Sequence, residues 1–177
     1  METFTEPKGF VDNPHYLQQR QESLATLDTH KIDGPIVDIV KSFQDLPYCF
    51  TLQSCCGHFM DSGQQDRHNT DHLYIADGSA IVTYRIAYVA LCIENSPEGK
   101  ALLEDLKDIS ATDSEFIQFG SAEWFWDRQV NSYVLQVEPE RYKDKDQVVI
   151  DYREALRIQD VRDNFFSELK NLLRRKG

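Results

Sequence analysis

The most unusual stretch of this sequence places several reactive side chains within eight residues. Residues 51–58 read Thr-Leu-Gln-Ser-Cys-Cys-Gly-His and so offer two hydroxyls, two adjacent thiols and an imidazole. Ser54 and His58 have the chemistry to hydrogen-bond an anionic or polar group. Gly57 allows a ligand to approach the backbone closely, or allows a positive φ. We therefore predict a functional site here, with Ser54, Cys55 and His58 as candidate catalytic residues.

The same segment is compatible with other chemistry. A metal-binding module would use thiolate and imidazole ligands, which suit zinc. Its candidate ligands are Cys55, Cys56, His58, His68 and His72. A nucleophilic cysteine enzyme would instead activate Cys55 or Cys56 through His58 or His68. A tight turn that merely buries one thiol would need no ligand at all.

Two further features could complete a pocket. Arg85 lies inside the apolar run of residues 81–93, where an unpaired cation is costly, so we expect an acidic partner or a pocket for an anion. Trp124 and Trp126 place large rings beside charged residues and have the shape to stack on a base or an adenine. A shared pocket requires Arg85, one of these rings and the 54–58 segment to lie together.

Composition limits the classes of protein to consider. The 177 residues are 41% hydrophobic and 11% aromatic, with eight Gly and six Pro, as expected for one globular domain over residues 1–177. Four cysteines in a chain of this length do not indicate a secreted disulfide scaffold. The first residues lack a signal-peptide pattern, and no apolar run is long enough to cross a bilayer. We expect a cytoplasmic protein without membrane contact.

The charge balance restricts the partners. Asp and Glu total 30 against 19 Lys and Arg, which gives a net charge of −11. This charge disfavours a polyanion such as tRNA as a partner held by bulk attraction. The acidic stretch of residues 96–146 is the one pointer to a non-catalytic protein-interaction domain. Arg174, Arg175 and Lys176 form a basic end that the dipole of a terminal helix favours by itself.

The helices expected around these residues follow from periodicity and capping signals. Residues 1–14 predict an extended lead-in, and a helix is predicted from residue 15 to about residue 27. A second helix begins at Asp33-Gly34-Pro35, with Asp33 as its cap, and ends before Pro47. A third begins at Ser96, as its cap, and an amphipathic helix closes the chain.

The predicted strands alternate with these helices. Residues 48–54 predict a strand, and residues 55–71 a loop. A hairpin turn at Asp77-Gly78 leads into a strand over residues 81–93 that is covered on both faces. Two or three short strands are predicted further on, within residues 116–119, 124–126 and 133–137, with a break at Gly120-Ser121. The pattern predicts an α/β fold in a single domain, with a mixed β-sheet flanked by helices in α/β/α layers.

The region from Asp33 to Gly57 resembles the signature region of the wybutosine-synthesising protein 3 family, tRNA methyltransferases that use S-adenosylmethionine. In that family a helix leads into a strand that ends in Thr-x-Ser-Ser-Cys-Ser-Gly-Arg. Here the matching residues are Thr51, Ser54, Cys55 and Gly57, while Gln53, Cys56 and His58 stand where the family has Ser, Ser and Arg. The order of predicted elements over residues 30–175 is also similar.

The resemblance implies a pocket beside the Ser-Cys-x-Gly turn, S-adenosylmethionine as cofactor, and methyl transfer to tRNA. It implies Thr51, Ser54, Cys55 and Gly57 as site residues. Together with the rings and the cation described above, the candidate cofactor contacts are Thr51, Gly57, Arg85, Trp124 and Trp126.

Overall fold

The computed structural model describes residues 4–61, 68–71, 73 and 81–177. Six strands and five helices follow the chain order β1 (Phe4–Thr5), α1 (Tyr16–Thr26), α2 (Val37–Asp45), β2 (Cys49–Met60), β3 (Ile81–Ile93), α3 (Pro97–Ala111), β4 (Ile117–Ala122), α4 (Glu123–Trp126), β5 (Ser132–Val137), β6 (Gln147–Asp151) and α5 (Tyr152–Lys176). The predicted hairpin turn at Asp77-Gly78 lies outside the described residues.

The long strand β3 is the centre of the sheet. It pairs with β2 along one edge, and along the other edge with β5 and then with β6. β4 extends the sheet beyond β5, and β1 pairs with β4. All of these pairings are antiparallel. The predicted α/β fold with a sheet flanked by helices is confirmed, and β3 has the predicted bounds. The sheet is antiparallel among the described strands, however, and not mixed as predicted.

Helices cover the two faces of the sheet unequally. On one face, the apolar sides of α2, α3 and α5 pack on alternate residues of the strands and form the main core. Ser96 caps α3 as predicted, because its Oγ accepts a hydrogen bond from the Gly99 amide at 3.1 Å. On the other face, Tyr16 of α1 packs on Phe50, and α4 covers a separate small cluster that includes Ala90. The second face therefore has room for a cavity.

β2 continues through the segment that the sequence predicted to be a loop. It ends at Met60, and Cys55, Cys56 and His58 are all in register with residues of β3. The prediction of a loop beginning at residue 55 is therefore wrong. Gly57 permits this continuation because its φ is +81°, a conformation that residues with a Cβ rarely adopt. The reactive side chains stand on a strand, where neighbouring strands fix their positions.

The start of α2 also differs from the prediction. Asp33 does not cap the helix with its side chain. A 3-10 turn over Gly34–Ile36 intervenes, and α2 begins only at Val37. The Asp33 carboxylate instead accepts a hydrogen bond from the Cys56 amide at 2.9 Å. The residue that sequence reasoning assigned to a helix end thus belongs to the 51–58 site.

Three features of the second half of the chain differ from the prediction. Residues 124–126 form the helical turn α4 and not a strand. Gly120 does not break β4. Its lack of a side chain lets β1 approach closely, because a Cβ at this position would lie 2.0 Å from the Thr5 carbonyl oxygen. β6, at residues 147–151, was not predicted as a strand. Its five residues alternate between exposed and buried, which is too short a pattern to stand out beside a charged connector.

No helix among the residues that the structure describes is long and apolar enough to cross a membrane.

A buried carboxyl group ends β5. Glu138 is fully buried, and its Oε2 accepts a hydrogen bond from Gln136 Nε2 at 3.2 Å. Among the described residues, no donor reaches its other oxygen. Burial, together with the nearby carboxylates of Asp146 and Asp144, raises the pKa of Glu138 to about 9. Glu138 is therefore protonated at neutral pH.

We predict that Gly57→Ala destabilises the protein by roughly 1–3 kcal/mol, because the backbone conformation disfavours a side chain. A Cβ at this position would also lie 2.9 Å from Ala87 Cβ. Chemical denaturation measures the effect. Gly9→Ala is the control, since nothing lies within 4 Å of a Cβ there, and it should change stability by less than about 0.5 kcal/mol. Equal effects of the two substitutions would contradict the prediction.

The buried carboxyl group predicts a pH dependence of stability. The pKa of Glu138 is raised in the folded state, so folded protein binds the extra proton and the free energy of unfolding falls as pH rises from about 4.5 to 9. Glu138→Gln imitates the protonated acid and cannot lose this proton. The free energy of unfolding of the variant should therefore fall less steeply over this range, and the two slopes should differ by up to about 1.4 kcal/mol per pH unit. Parallel curves for the two proteins in urea denaturation would refute this assignment.

Candidate functional site

A cavity of about 930 Å³ lies on the less covered face of the sheet. Its floor is formed by the strands, with Tyr88 of β3 and Gln136 of β5 among the residues. One wall is the part of β2 around residues 53–58, and the opposite wall is α4 with the residues that follow it. The connector of residues 143–147 closes one end. The volume is that of a pocket for a cofactor or a small substrate.

Most of the residues that the sequence singled out meet in this cavity. Its lining includes Ser54, Cys55, His58, Arg85 and Trp124. These residues come from β2, β3 and α4, and their positions are set by the register of the sheet and by the start of α4 at Glu123. A shared pocket was predicted to require an arginine and a tryptophan beside the 54–58 segment. The structure meets this requirement.

Three predicted contact residues lie elsewhere. Thr51 is buried and lines a separate, smaller cavity between β2 and the end of α1. Gly57 shapes β2 but does not line the large cavity among the described residues. Trp126 packs edge-on against Tyr133, with 6.0 Å between the ring centroids, and so belongs to the framework. These three positions are not direct contacts for a ligand in the large cavity.

The rim of the cavity carries an exposed aromatic side chain. Trp124 is 54% exposed, which is unusual for tryptophan. The guanidinium carbon of Arg128 lies 3.3 Å from the centroid of the Trp124 ring, and Arg128 Nη1 donates a hydrogen bond to the Trp124 carbonyl oxygen at 2.7 Å. These contacts hold the side chain in place at the rim. A flat aromatic group entering the cavity would find an ordered surface on which to stack.

The charges around the cavity are mixed. Its acidic lining residues are Asp33, Glu123, Asp127, Asp144 and Asp146, and its basic ones are Arg85, Arg128, Lys143 and Lys145. None of the described residues that line the cavity belongs to the basic terminal helix α5. Such a cavity suits a ligand that carries both positive and negative groups, and it differs from the basic funnel of a nucleic-acid groove.

Beside the cavity, four side chains form a compact group. The ligating atoms of Asp33, Cys56, His58 and His68 all lie within 4.8 Å of one another. Cys56 Sγ is 2.9 Å from His68 Nδ1, and His58 Nε2 is 3.5 Å from Asp33 Oδ2. We call these four residues the Asp-Cys-His-His group. Its donor atoms are a carboxylate oxygen, a sulfur and two imidazole nitrogens, so it could hold a metal ion.

The Asp-Cys-His-His group differs from the ligand set proposed from the sequence. Cys56, His58 and His68 were predicted, but Asp33 was not, because its place before a proline indicated a helix cap. Cys55 lines the cavity and lies outside the group. His72 lies outside the described residues. The adjacent Cys55 and Cys56 therefore have different surroundings, one beside the cavity and one in the group.

The terminal helix α5 positions His68. Arg162 is buried and donates a hydrogen bond to the His68 carbonyl oxygen, and its guanidinium carbon lies 5.4 Å from the Phe59 ring centroid. Gln159, one turn earlier, accepts a hydrogen bond from the Thr70 amide at 2.7 Å. Two side chains of one helix thus fasten the backbone of residues 68–70 beside β2.

The protonation states of the group are uneven. Partial burial alone would raise the pKa of Asp33, but the hydrogen bond from the Cys56 amide and the imidazole of His58 lower it below its usual value. Burial raises the pKa of the Cys56 thiol strongly, and the Asp33 carboxylate raises it further. The pKa of Cys55 rises to about 11, mainly through burial. In the absence of a metal, Asp33 is ionised at neutral pH and both thiols are protonated.

These pKa shifts argue against a cysteine nucleophile. A thiolate is the reactive form, and catalytic cysteines have lowered pKa values in electropositive surroundings. Here burial and the carboxylate of Asp33 raise the pKa of the fully buried Cys56 thiol and outweigh the opposite effect of the Arg162 guanidinium. With the thiol protonated, the contact between Cys56 Sγ and His68 Nδ1 is a hydrogen bond. The same two atoms could hold a metal ion, since a bound cation would supply the positive charge that stabilises the thiolate.

The fold, but no assigned activity, is shared with solved structures. No family model and no curated protein matches this sequence. The structure is similar to the PH1069 protein from Pyrococcus horikoshii (TM-score 0.59, 12% identity, covering 92% of this chain and 96% of that chain) and to the PH1069 protein from Pyrococcus horikoshii OT3 (TM-score 0.55, 13% identity, covering 91% and 93%). A hypothetical protein from Aeropyrum pernix gives a TM-score of 0.44 at 11% identity, covering 81% and 96%. The similarity to the PH1069 structures confirms the fold predicted from the sequence.

Proposed function

We propose that this chain binds S-adenosylmethionine in the large cavity and transfers its methyl group to an acceptor. The observation that carries the proposal is that Ser54, Cys55, His58, Arg85 and Trp124 share one cavity. These residues were singled out on separate grounds from three distant parts of the sequence. Their convergence is consistent with the resemblance of residues 33–57 to the wybutosine-synthesising protein 3 family.

The cavity offers a partner for each part of this cofactor. The adenine can stack on the exposed ring of Trp124. The ribose hydroxyls can donate hydrogen bonds to carboxylates of the α4 wall, such as Glu123 or Asp127. The methionine carboxylate suits the guanidinium of Arg85, and the positively charged sulfonium suits the Asp33 carboxylate. A zwitterionic cofactor with an extra positive charge therefore matches the mixed lining.

Methyl transfer makes modest chemical demands on the protein. The acceptor must be held in line with the methyl group and the sulfonium sulfur, and water must be excluded. The bond from the methyl carbon to the sulfonium sulfur breaks as the bond to the acceptor forms, which leaves S-adenosylhomocysteine. His58, on the cavity wall, can take the proton that a protonated acceptor loses. Ser54 and Cys55 would orient the acceptor by hydrogen bonds.

The charge distribution bears on the acceptor that the resemblance implies. A net charge of −11 and a cavity with more acidic than basic lining residues offer tRNA no bulk attraction. An RNA acceptor would have to be held by local contacts at the rim, such as those with Arg128. Transfer of a labelled methyl group to total tRNA separates an RNA acceptor from other classes of acceptor.

We predict that isothermal titration calorimetry detects one saturable binding event when S-adenosylmethionine is added to the full chain. Trp124→Ala should weaken binding by about 5- to 150-fold, the usual value of one aromatic stacking contact. Trp126→Phe is the matched control, because Trp126 lies nearby but packs on Tyr133, and it should leave the affinity unchanged. Absence of heat from the unmodified chain would refute the cofactor proposal. Equal affinities of the two variants would refute the placement of the adenine.

A second candidate function, zinc binding, is favoured by the Asp-Cys-His-His group. Two ligands of a tetrahedral zinc ion stand about 3.3–3.6 Å apart, given bond lengths of about 2.0–2.3 Å. The His58 Nε2 to Asp33 Oδ2 distance of 3.5 Å already has this value. The other distances between ligand atoms of the group, none of which exceeds 4.8 Å, would have to change by about 1 Å when zinc binds. Zinc accepts sulfur, nitrogen and oxygen ligands together, and this mixed set suits it.

We predict that the full chain, purified without an affinity tag, binds one equivalent of zinc. His68→Ala should weaken zinc binding at least about tenfold, because it removes one of four ligands. His30→Ala is the control, since this exposed histidine lies outside the Asp-Cys-His-His group, and it should leave the affinity unchanged. Elemental analysis and competition with a chromogenic chelator give the stoichiometry and the affinity. A stoichiometry near zero, or equal affinities for both variants, would refute the zinc proposal.

A further inference from the structure

Two residues belong both to the large cavity and to the Asp-Cys-His-His group. Asp33 and His58 line the cavity, whereas Cys56 and His68 do not. The two sites are therefore joined along one wall. Whatever engages Asp33 or His58 from the side of the group changes the surface that a ligand in the cavity meets.

We propose that the cavity and the Asp-Cys-His-His group form one coupled site, in which a bound divalent cation weakens the binding of a positively charged cofactor. This inference rests on both functions proposed above. It adds a regulatory relation that neither function contains by itself. The metal acts as an inhibitor of cofactor binding, and the cofactor as an inhibitor of metal binding.

The reason is the use of one carboxylate for two purposes. Without a metal, Asp33 presents its negative charge to the cavity as well as to His58 and to the Cys56 amide. When a divalent cation binds this carboxylate, the negative charge is neutralised. The attraction for a sulfonium ion in the cavity is then lost. For two unit charges about 8 Å apart and an effective dielectric constant between about 80 and about 20, this loss corresponds to about 3- to 30-fold in affinity.

The geometry acts in the same direction. Ligand atoms that stand up to 4.8 Å apart must move towards the metal to reach bonding distance. Asp33 and His58 would move with them, away from the cavity. Both side chains would also lose acceptor sites to the metal, so that fewer remain for hydrogen bonds with a ligand.

The reaction product provides an internal comparison. S-adenosylhomocysteine lacks the methyl group and hence the positive charge on sulfur, but it is otherwise the same molecule. Coupling through the charge of Asp33 should therefore affect the cofactor more than the product. Because coupling free energies are reciprocal, the cofactor must weaken zinc binding by the same factor by which zinc weakens cofactor binding.

The test is calorimetry on the full chain with S-adenosylmethionine and with S-adenosylhomocysteine, each in the metal-free and the zinc-loaded state. We expect zinc to weaken cofactor binding about 3- to 30-fold and product binding less. His68→Ala removes a metal ligand that does not line the cavity. At a zinc concentration that loads the unmodified chain but not this variant, the variant should bind the cofactor as the metal-free chain does. His30→Ala should retain the full effect of zinc.

The outcomes separate the inference from the functions on which it rests. If cofactor and zinc both bind but neither changes the affinity of the other, the inference is overturned and both proposed functions stand. If zinc tightens cofactor binding, or weakens the product as much as the cofactor, the inference is likewise overturned. If the unmodified chain fails to bind zinc or S-adenosylmethionine, the corresponding proposed function is refuted, and the inference is refuted with it.

Discussion

The hydrogen bond from the Cys56 amide to the Asp33 carboxylate organises the site. Among the described strands, β2 pairs with β3 alone and is therefore an edge strand. The outward amides of an edge strand have no neighbouring strand to accept their hydrogen bonds. Asp33 satisfies one of these amides from the chain that leads into α2. A single carboxylate thereby protects the sheet edge, fastens the approach to α2, and stands between the cavity and the Asp-Cys-His-His group.

This position makes local charge more important than the overall charge of the protein. The net charge of −11 argues against a polyanionic partner held by bulk attraction, but it does not describe the cavity, whose lining alternates acidic and basic groups. The Asp33 carboxylate influences both thiols of the site by raising their pKa values. The same charge that suppresses nucleophilic cysteine chemistry thus favours a cation nearby, whether it belongs to a metal or to a sulfonium.

The sequence allowed the framework to be predicted where the hydrophobic pattern was long. β3, α3 and α5 follow from extended apolar periods and from capping signals such as Ser96. The short elements were predicted less well, because three aromatic residues at 124–126 have no period that distinguishes a strand from a helical turn. The predicted strand was shorter than β2, because the local propensities of Cys55, Cys56 and Gly57 favour a turn. Pairing with β3 along its whole length overrides that local preference.

The site was predictable to the extent that residue chemistry is visible in sequence. Ser54, Cys55, His58 and Arg85 were identified by type and neighbours, and they do meet. Asp33 was missed as a site residue because a helix cap explained its position. The residues 143–147 were missed as part of the cavity because a charged loop has no hydrophobic pattern. The separation of Cys55 from Cys56 follows from the strand, because adjacent residues of β2 point to opposite faces of the sheet. It was missed because a loop was predicted to begin at residue 55.

The attachment of residues 68–70 to α5 has a consequence for the order in which the protein is assembled. Asp33, Cys56 and His58 precede Arg162 and Gln159 of α5 by about a hundred residues or more along the chain. His68 is placed beside the other three residues only when α5 has docked on the sheet. Completion of the Asp-Cys-His-His group is thus coupled to the docking of α5. A chain in which all four donors are in place is one in which the helix α5 is packed on the sheet.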